Sequence, residues 1–283
     1  MAVENYFKFH RFASVSEFSN YVETAKTNGS FQRAHGDYQG STHNTYRFCG
    51  THSFAEATQL LHNGYPEGLK AMIEGSGVTF RNNHTHIERR NDFVGQRPHI
   101  ANTLAGKPKT MIRRIKIEQP QKSIDLYYDC CAHEGVNKDV LAVGGKNLMA
   151  LVQHLEADGT RVNLHIMCAT SERIRKDVYR TAVFTIKVKE AKQQLNPLLI
   201  SYPVTHPSFF RRHILRAIEC SDATNYDEYT RGYGFPYKAI ENPRTAKLDG
   251  KPLFKDDQYY LDCEKVAKAT TIDDLVNQLN SKI

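Results

Sequence analysis

Tryptophan is absent from this chain, so 15 tyrosines and 14 phenylalanines carry its aromatic mass. No two of the six cysteines, Cys49, Cys130, Cys131, Cys168, Cys220 and Cys263, form a C-x-x-C pair. That excludes the common zinc modules, and adjacent Cys130 and Cys131 are poor material for a disulfide framework. Free thiols in predicted strands behave as small buried hydrophobes, and a reducing cytoplasm is the expected compartment. No apolar stretch approaches the ~20 residues of a membrane span. The opening Met-Ala-Val-Glu-Asn lacks the basic region and apolar run of a signal peptide.

What is present suits an ordinary globular protein. At 283 residues the chain has room for one large domain or two small ones. Its net charge of +7 permits contact with nucleic acid or another acidic surface without establishing it.

The stretch that organises the chain covers residues 122–169. Residues 124–131 are β-branched, aromatic and apolar, which predicts a strand. Leu148, Leu151, Val152 and Leu155 then fall at helical spacing, predicting a helix over residues 147–157. Gly159 stops it, and residues 161–168 read as a second strand. Strand, helix and strand in this order make a βαβ unit with adjacent parallel strands. The fold class that follows is α/β: a mostly parallel sheet with flanking helices, preceded by an α+β N-terminal region. The domain division this suggests is an N-terminal region over residues 1–110, with a long polar loop, and an α/β core domain over residues 111–283.

Around that unit the local signals are clear in places. Residues 6–12 alternate as a half-exposed strand. Ser14 with Glu17, Ser53 with Glu56, and Thr271 with Asp274 have the spacing of capping boxes, each opening a helix. Pro66 suits a first helical turn. Residues 46–49 read as a strand, residues 191–200 as a helix broken at Pro197, and residues 257–261 as a late strand. Residues 75–106 are polar and irregular and read as a long functional loop or a partly ordered excursion. Residues 111–118 alternate apolar and basic residues as a strand, and residues 178–188 make a long strand candidate.

Four patterns resemble a family of uncharacterised proteins of tailed bacteriophages. They are Phe48-x-Gly50-x-x-Ser53-x-x-Glu56-Ala57; Asp92-x-Val94-Gly95-x-x-Pro98 with Leu104-x-Gly106-x-Pro108-x-x-Met111-Ile112; the βαβ unit with Gly144-Gly145 and Gly159-x-Arg161-Val162; and His206-Pro207-Ser208-x-x-Arg211-Arg212. The resemblance implies a viral protein acting in the host cytoplasm, and carries over no catalytic residue. The βαβ unit also resembles the start of a von Willebrand A-type domain. Asp129 stands where the first ligand of that family's Asp-x-Ser-x-Ser metal loop would be, but both serines are missing. Hard cations need oxygen ligands, so no metal is expected there.

Several further readings compete. Gly144-Gly145-Lys146 lacks the first glycine and the Ser or Thr of a phosphate loop, and reads as a helix N-terminus. His84 and His86, with Cys130, Cys131 or His133, have donor chemistry for zinc, but at no standard spacing. His43-Asn-Thr-Tyr46 and His206-Pro-Ser-Phe209 are similar to the paired motifs of 2H phosphoesterases, whose two histidines act as acid and base on a phosphodiester. Arg211, Arg212 and Arg216, with Arg113, Arg114 and Lys116, are candidates for a phosphate-binding face, and Tyr226, Tyr229, Tyr233 and Tyr237 could interleave aromatics. The expected function is binding of nucleic acid or a host protein, with no cofactor, no metal and no membrane partner. The alternative is a 2H-type phosphodiesterase acting on nucleotides or RNA.

Overall fold

The computed structural model describes residues 4–29, 45–74, 87–116, 122–131, 138–175, 178–221, 247–248, 251–252, 254–255 and 257–280. In chain order the first elements are strand β1 (Glu4–Phe12) and helices α1 (Val15–Thr24), α2 (Tyr46–Cys49), α3 (Phe54–Asn63) and α4 (Pro66–Glu74). A small module follows: β2 (Ile87–Asp92), β3 (Arg97–Pro98), α5 (Ile100–Leu104) and β4 (Met111–Lys116). The organising unit is β5 (Ser123–Asp129), α6 (Lys138–Ala157) and β6 (Arg161–Arg175), continued by β7 (Val178–Lys189). Helix α7 (Pro197–Thr205), a π-helix (Phe209–Ile214) and α8 (Leu215–Cys220) come next. The short β8 (Lys247–Leu248) and β9 (Lys251–Pro252) precede β10 (Gln258–Asp262), α9 (Cys263–Lys268) and α10 (Ile272–Asn280).

The main sheet has the order β1-β7-β6-β5-β10. Three of its four neighbouring pairs are parallel, and only the β6–β7 hairpin is antiparallel. As the periodicity predicts, β5 and β6 are adjacent and parallel, with α6 between them in the chain. Strand alternation sorts the side chains. Ile124, Leu126 and Tyr128 of β5, with Val162, Leu164, Ile166 and Cys168 of β6, join helix residues such as Phe18, Leu148, Leu151, Tyr202 and Leu275 in one large core. The opposite face holds a smaller cluster of Tyr127, Met167, Ala169 and Val183.

The capping boxes form. The Ser14 hydroxyl accepts from Glu17 N–H at 3.1 Å, and Ser53 from Glu56 N–H at 3.0 Å. Thr271 accepts from Asp274 N–H at 3.1 Å, while Asp274 accepts from Thr271 N–H at 2.9 Å. Each satisfies amide donors that a first helical turn leaves without partners.

Other expectations need correction. Gly144 and Gly145 lie within α6, not at its N-terminus, because close packing rather than a turn requires them. A Cβ on Gly145 would come within 2.8 Å of Met72 Cε, and one on Gly144 within 3.0 Å of Tyr128 Oη. Residues 46–49 are helical, ended by Gly50 at φ +79°. Pro197 opens α7 instead of breaking a helix, with the Asn196 side chain accepting from Leu198 N–H. The boundary at residue 110 matches no break in the sheets. β1 pairs with β7 in the main sheet, and β4 pairs with β2 and β3.

Candidate nucleic-acid interface

Residues 87–116 form an antiparallel three-stranded sheet of order β2-β4-β3. The segment IERRNDFVGQRPHIANTLAGKPKTMIRRIK holds eight Lys or Arg against two Asp or Glu. That net +6 is nearly the whole +7 of the chain. None of its described side chains is buried. The module therefore presents its charge to solvent, where long-range attraction of polyanions operates.

Register divides that charge between two faces. Arg89 sits opposite Arg114, and Arg90 opposite Arg113. Arg97 pairs with Ile112, which lies two residues from Arg114 in β4 and so on the same face. One face thus carries Arg89, Arg97 and Arg114. The other carries Arg90, Arg113 and Asp92, and there Arg113 reaches Asp92 at 3.4 Å. The Asp92 carboxyl is held below its usual range, first by the Phe93 N–H it accepts and then by Arg113. Like charges directly opposite one another cost a sheet stability. Two adjacent Arg–Arg pairs therefore disfavour the bare module, and a bound polyanion would offset that cost.

The turns are built tightly. A Cβ on Gly95 would lie 2.4 Å from the Ile112 carbonyl oxygen, so only glycine lets this loop lie against β4. Gln96 N–H donates to that same oxygen at 3.0 Å. His99 caps α5, its Nδ1 accepting from Asn102 N–H at 3.1 Å. The loops also expose apolar side chains: Phe93, Val94 (75% exposed), Ile100 and Leu104 (83% exposed). Lys109 Nζ lies 5.8 Å from the centre of the Phe93 ring.

The six basic residues expected to form one face have different surroundings. Arg113 and Arg114 are exposed on β4; Lys116 ends that strand, and only its backbone is described. Arg212 is fully buried and Arg216 nearly so. Arg212 donates from Nε to Thr51 Oγ1 and from Nη2 to the Thr51 carbonyl, both at 2.7 Å. Arg216 donates to the Val22 and Ala25 carbonyls at 3.2 and 2.8 Å, and pairs with Glu219 at 3.6 Å. A guanidinium there satisfies carbonyls that the end of α1 leaves open. The i,i+4 alignment of Arg212 and Arg216 holds, but it faces inward, which corrects the expectation that both present charge to a ligand. Arg211 is partly exposed, lies over the Phe48 ring at 4.5 Å and donates to the Phe48 carbonyl. Arg89 and Arg97, which carry the richer face with Arg114, were concealed within the apparent loop.

The π-helix continues a buried polar chain. Ser208 Oγ is hydrogen-bonded to His206 Nδ1 at 2.7 Å and to Tyr202 Oη at 2.9 Å. Tyr202 Oη reaches His213 Nδ1 at 3.1 Å. Burial, then the charges of His62 and Arg212, drive the His213 pKa down to about 3, so this imidazole is neutral. Ser208 is fully buried, which makes it a structural junction rather than an accessible nucleophile. Asp129, at the end of β5, is used internally as well. Its oxygens accept from Cys131 N–H at 2.9 Å and Tyr260 O–H at 2.7 Å. His43, His84, His86, His133, Tyr226, Tyr229, Tyr233 and Tyr237 lie outside the described residues. Among the described residues, no group of three or more His, Cys, Asp or Glu is placed to hold a metal ion. No described helix is long and apolar enough to cross a membrane.

Neither the curated proteins nor the solved structures contain a match to this chain. A family model described as a domain of unknown function, DUF7192, matches residues 5–281. The match runs from β1 through α10 and so covers both the main sheet and the small basic one. The chain belongs to the DUF7192 family.

Proposed function

We propose that the protein binds nucleic acid through the phosphate backbone, using the small basic sheet as its contact surface. The observation that carries this reading is the face of Arg89, Arg97 and Arg114, set within a segment of net +6 that buries none of its described side chains. Such a surface reads charge and spacing rather than base identity. The four motifs that resemble proteins of tailed bacteriophages support a viral protein working in a host cell, with the host cytoplasm as the compartment.

The test is fluorescence anisotropy with random-sequence duplex DNA, single-stranded DNA and RNA at two salt concentrations. The expected result is binding that varies little with sequence and falls steeply with salt. No binding to any of the three near physiological salt would refute it.

A second reading, a host protein as partner, has its own support in the exposed Phe93, Val94, Ile100 and Leu104. Apolar anchors of that kind give salt-tolerant binding dominated by a few side chains. A third, the 2H-type phosphodiesterase, relies on His206 and on His43. Turnover of nucleotides or RNA that disappears in both His43→Ala and His206→Ala would favour it over binding alone.

A further inference from the structure

Three thiols meet where the parallel strands β5 and β6 run side by side. Asp129 is opposite Met167, and the ladder continues one step as Cys130 N–H donates to the Met167 carbonyl at 3.0 Å. Cys130 and Cys168 are thereby neighbours across the strands, their Sγ atoms 2.9 Å apart. Even carbon atoms prefer roughly 3.5–4.0 Å when not bonded. A disulfide needs ~2.05 Å, so closure requires a movement of roughly 1 Å. Adjacent strands lie ~4.8 Å apart, within the Cα separation that a disulfide spans.

The third thiol also shares a hydrogen bond with Cys168, but its backbone ties it down. Cys131 Sγ accepts from Ala169 N–H at 3.4 Å, while Cys131 N–H is engaged by Asp129. Exposure separates the roles further. Cys130 is partly exposed, whereas Cys131 and Cys168 are buried. Burial, followed by hydrogen bonds with Cys130 and Cys131, pushes the Cys168 thiol well up. Cys220 is also partly exposed, and its Sγ contacts the Ala25 carbonyl oxygen, which makes it an internal comparison.

We infer that Cys130 and Cys168 form a reactive dithiol that exchanges with small-molecule disulfides. The Cys130 thiolate attacks one sulfur of the small disulfide, forming a mixed disulfide and expelling one thiolate. Cys168 then attacks Cys130 Sγ, closing the Cys130–Cys168 bond and releasing the second small thiol. The two protein thiol protons leave with the two released thiols. The protein loses two electrons, and the small disulfide gains them. The product pins β5 to β6 immediately beyond Asp129. This is the C-terminal end of β5, where parallel α/β sheets commonly place their sites.

The experiment treats the native full-length chain with oxidised glutathione, quenches with an alkylating agent and maps the product by mass spectrometry. The expected product has lost two hydrogens and gives a linked peptide pair joining Cys130 to Cys168. Cys168→Ser should stop at a stable glutathione adduct on Cys130, Cys130→Ser should yield neither species, and Cys131→Ser should react as the parent does. The wild-type map alone decides the matter, whatever the variants' stability. Absence of the Cys130–Cys168 link in folded protein overturns the inference, as does a link joining either residue to Cys131.

Discussion

Replacing Asp129 by asparagine should change how stability depends on pH. The Asp129 carboxyl is fully buried, and desolvation raises its pKa from 3.8 to about 6, against the opposing pull of the hydrogen bonds from Cys131 N–H and Tyr260 O–H. The nearby Asp262 charge raises it further. Because the folded value lies above the unfolded one, the contribution to stability is fully present below pH ~4 and is lost as pH rises through about 6. A shift of about two units corresponds to roughly 3 kcal/mol. Asparagine has nearly the same shape, can still accept from Cys131 N–H and carries no charge. The stability of Asp129→Asn relative to the parent should therefore rise by up to roughly 3 kcal/mol between about pH 4 and pH 8. His213 acts in the opposite sense. Its folded value of about 3 lies below the unfolded one, so its contribution is present above the unfolded pKa and is lost as pH falls. Both proteins share that background, and it cancels in the difference. Urea unfolding followed by circular dichroism across this range measures the effect. Parallel pH–stability curves for the two proteins would refute the reasoning.

Other substitutions test the packing. Gly64→Ala should destabilise by more than ~2 kcal/mol in urea unfolding, because Gly64 has φ +84° and a Cβ there would lie 2.2 Å from the Leu198 carbonyl oxygen. Lys189 is buried, and its ammonium donates to Glu156 at 2.5 Å and to the Val162 and Glu190 carbonyls. Glu156→Ala should cost about 3 kcal/mol by stranding that charge, while adding Lys189→Met should restore most of the loss. Arg212→Ala should cost more than ~3 kcal/mol, whereas Arg211→Ala, on the partly exposed neighbour stacked on Phe48, should cost under ~1 kcal/mol. Thermal melts of the two arginine variants compare them directly.

The βαβ unit was legible because its signals are local. The spacing of Leu148, Leu151 and Leu155 and the apolar run ending at Cys131 need no knowledge of the rest of the chain. The capping serines were legible for the same reason. What the sequence concealed depends on distant partners. β1 completes the sheet against β7, more than 160 residues away, so the N-terminal region looked separable. Arg212 and Arg216 look like a solvated basic face, and their burial follows from carbonyls at Thr51, Val22 and Ala25. Gly144 and Gly145 suggested a turn because local sequence cannot show that Tyr128 and Met72 press against that side of α6. Of the small sheet, β4 was legible from its alternation, whereas β2 escaped notice because Ile87–Asp92 lacks apolar alternation. It is charged on both faces and buries none of its described side chains, so periodicity had nothing to detect.

The asymmetry between the two faces of the small sheet is the central claim, and salt dependence of binding tests it most directly. Each phosphate contact contributes ~0.9 to the slope of log affinity against log salt on duplex DNA. Replacing Arg89, Arg97 and Arg114 together by glutamine should weaken binding and reduce the slope by up to ~2.7. Replacing Arg90 and Arg113 on the face that also holds Asp92 should change it far less, with both variants keeping the parent's circular dichroism. Equal slopes for the parent and the triple variant, or a larger loss from the Arg90 and Arg113 pair, would contradict the account.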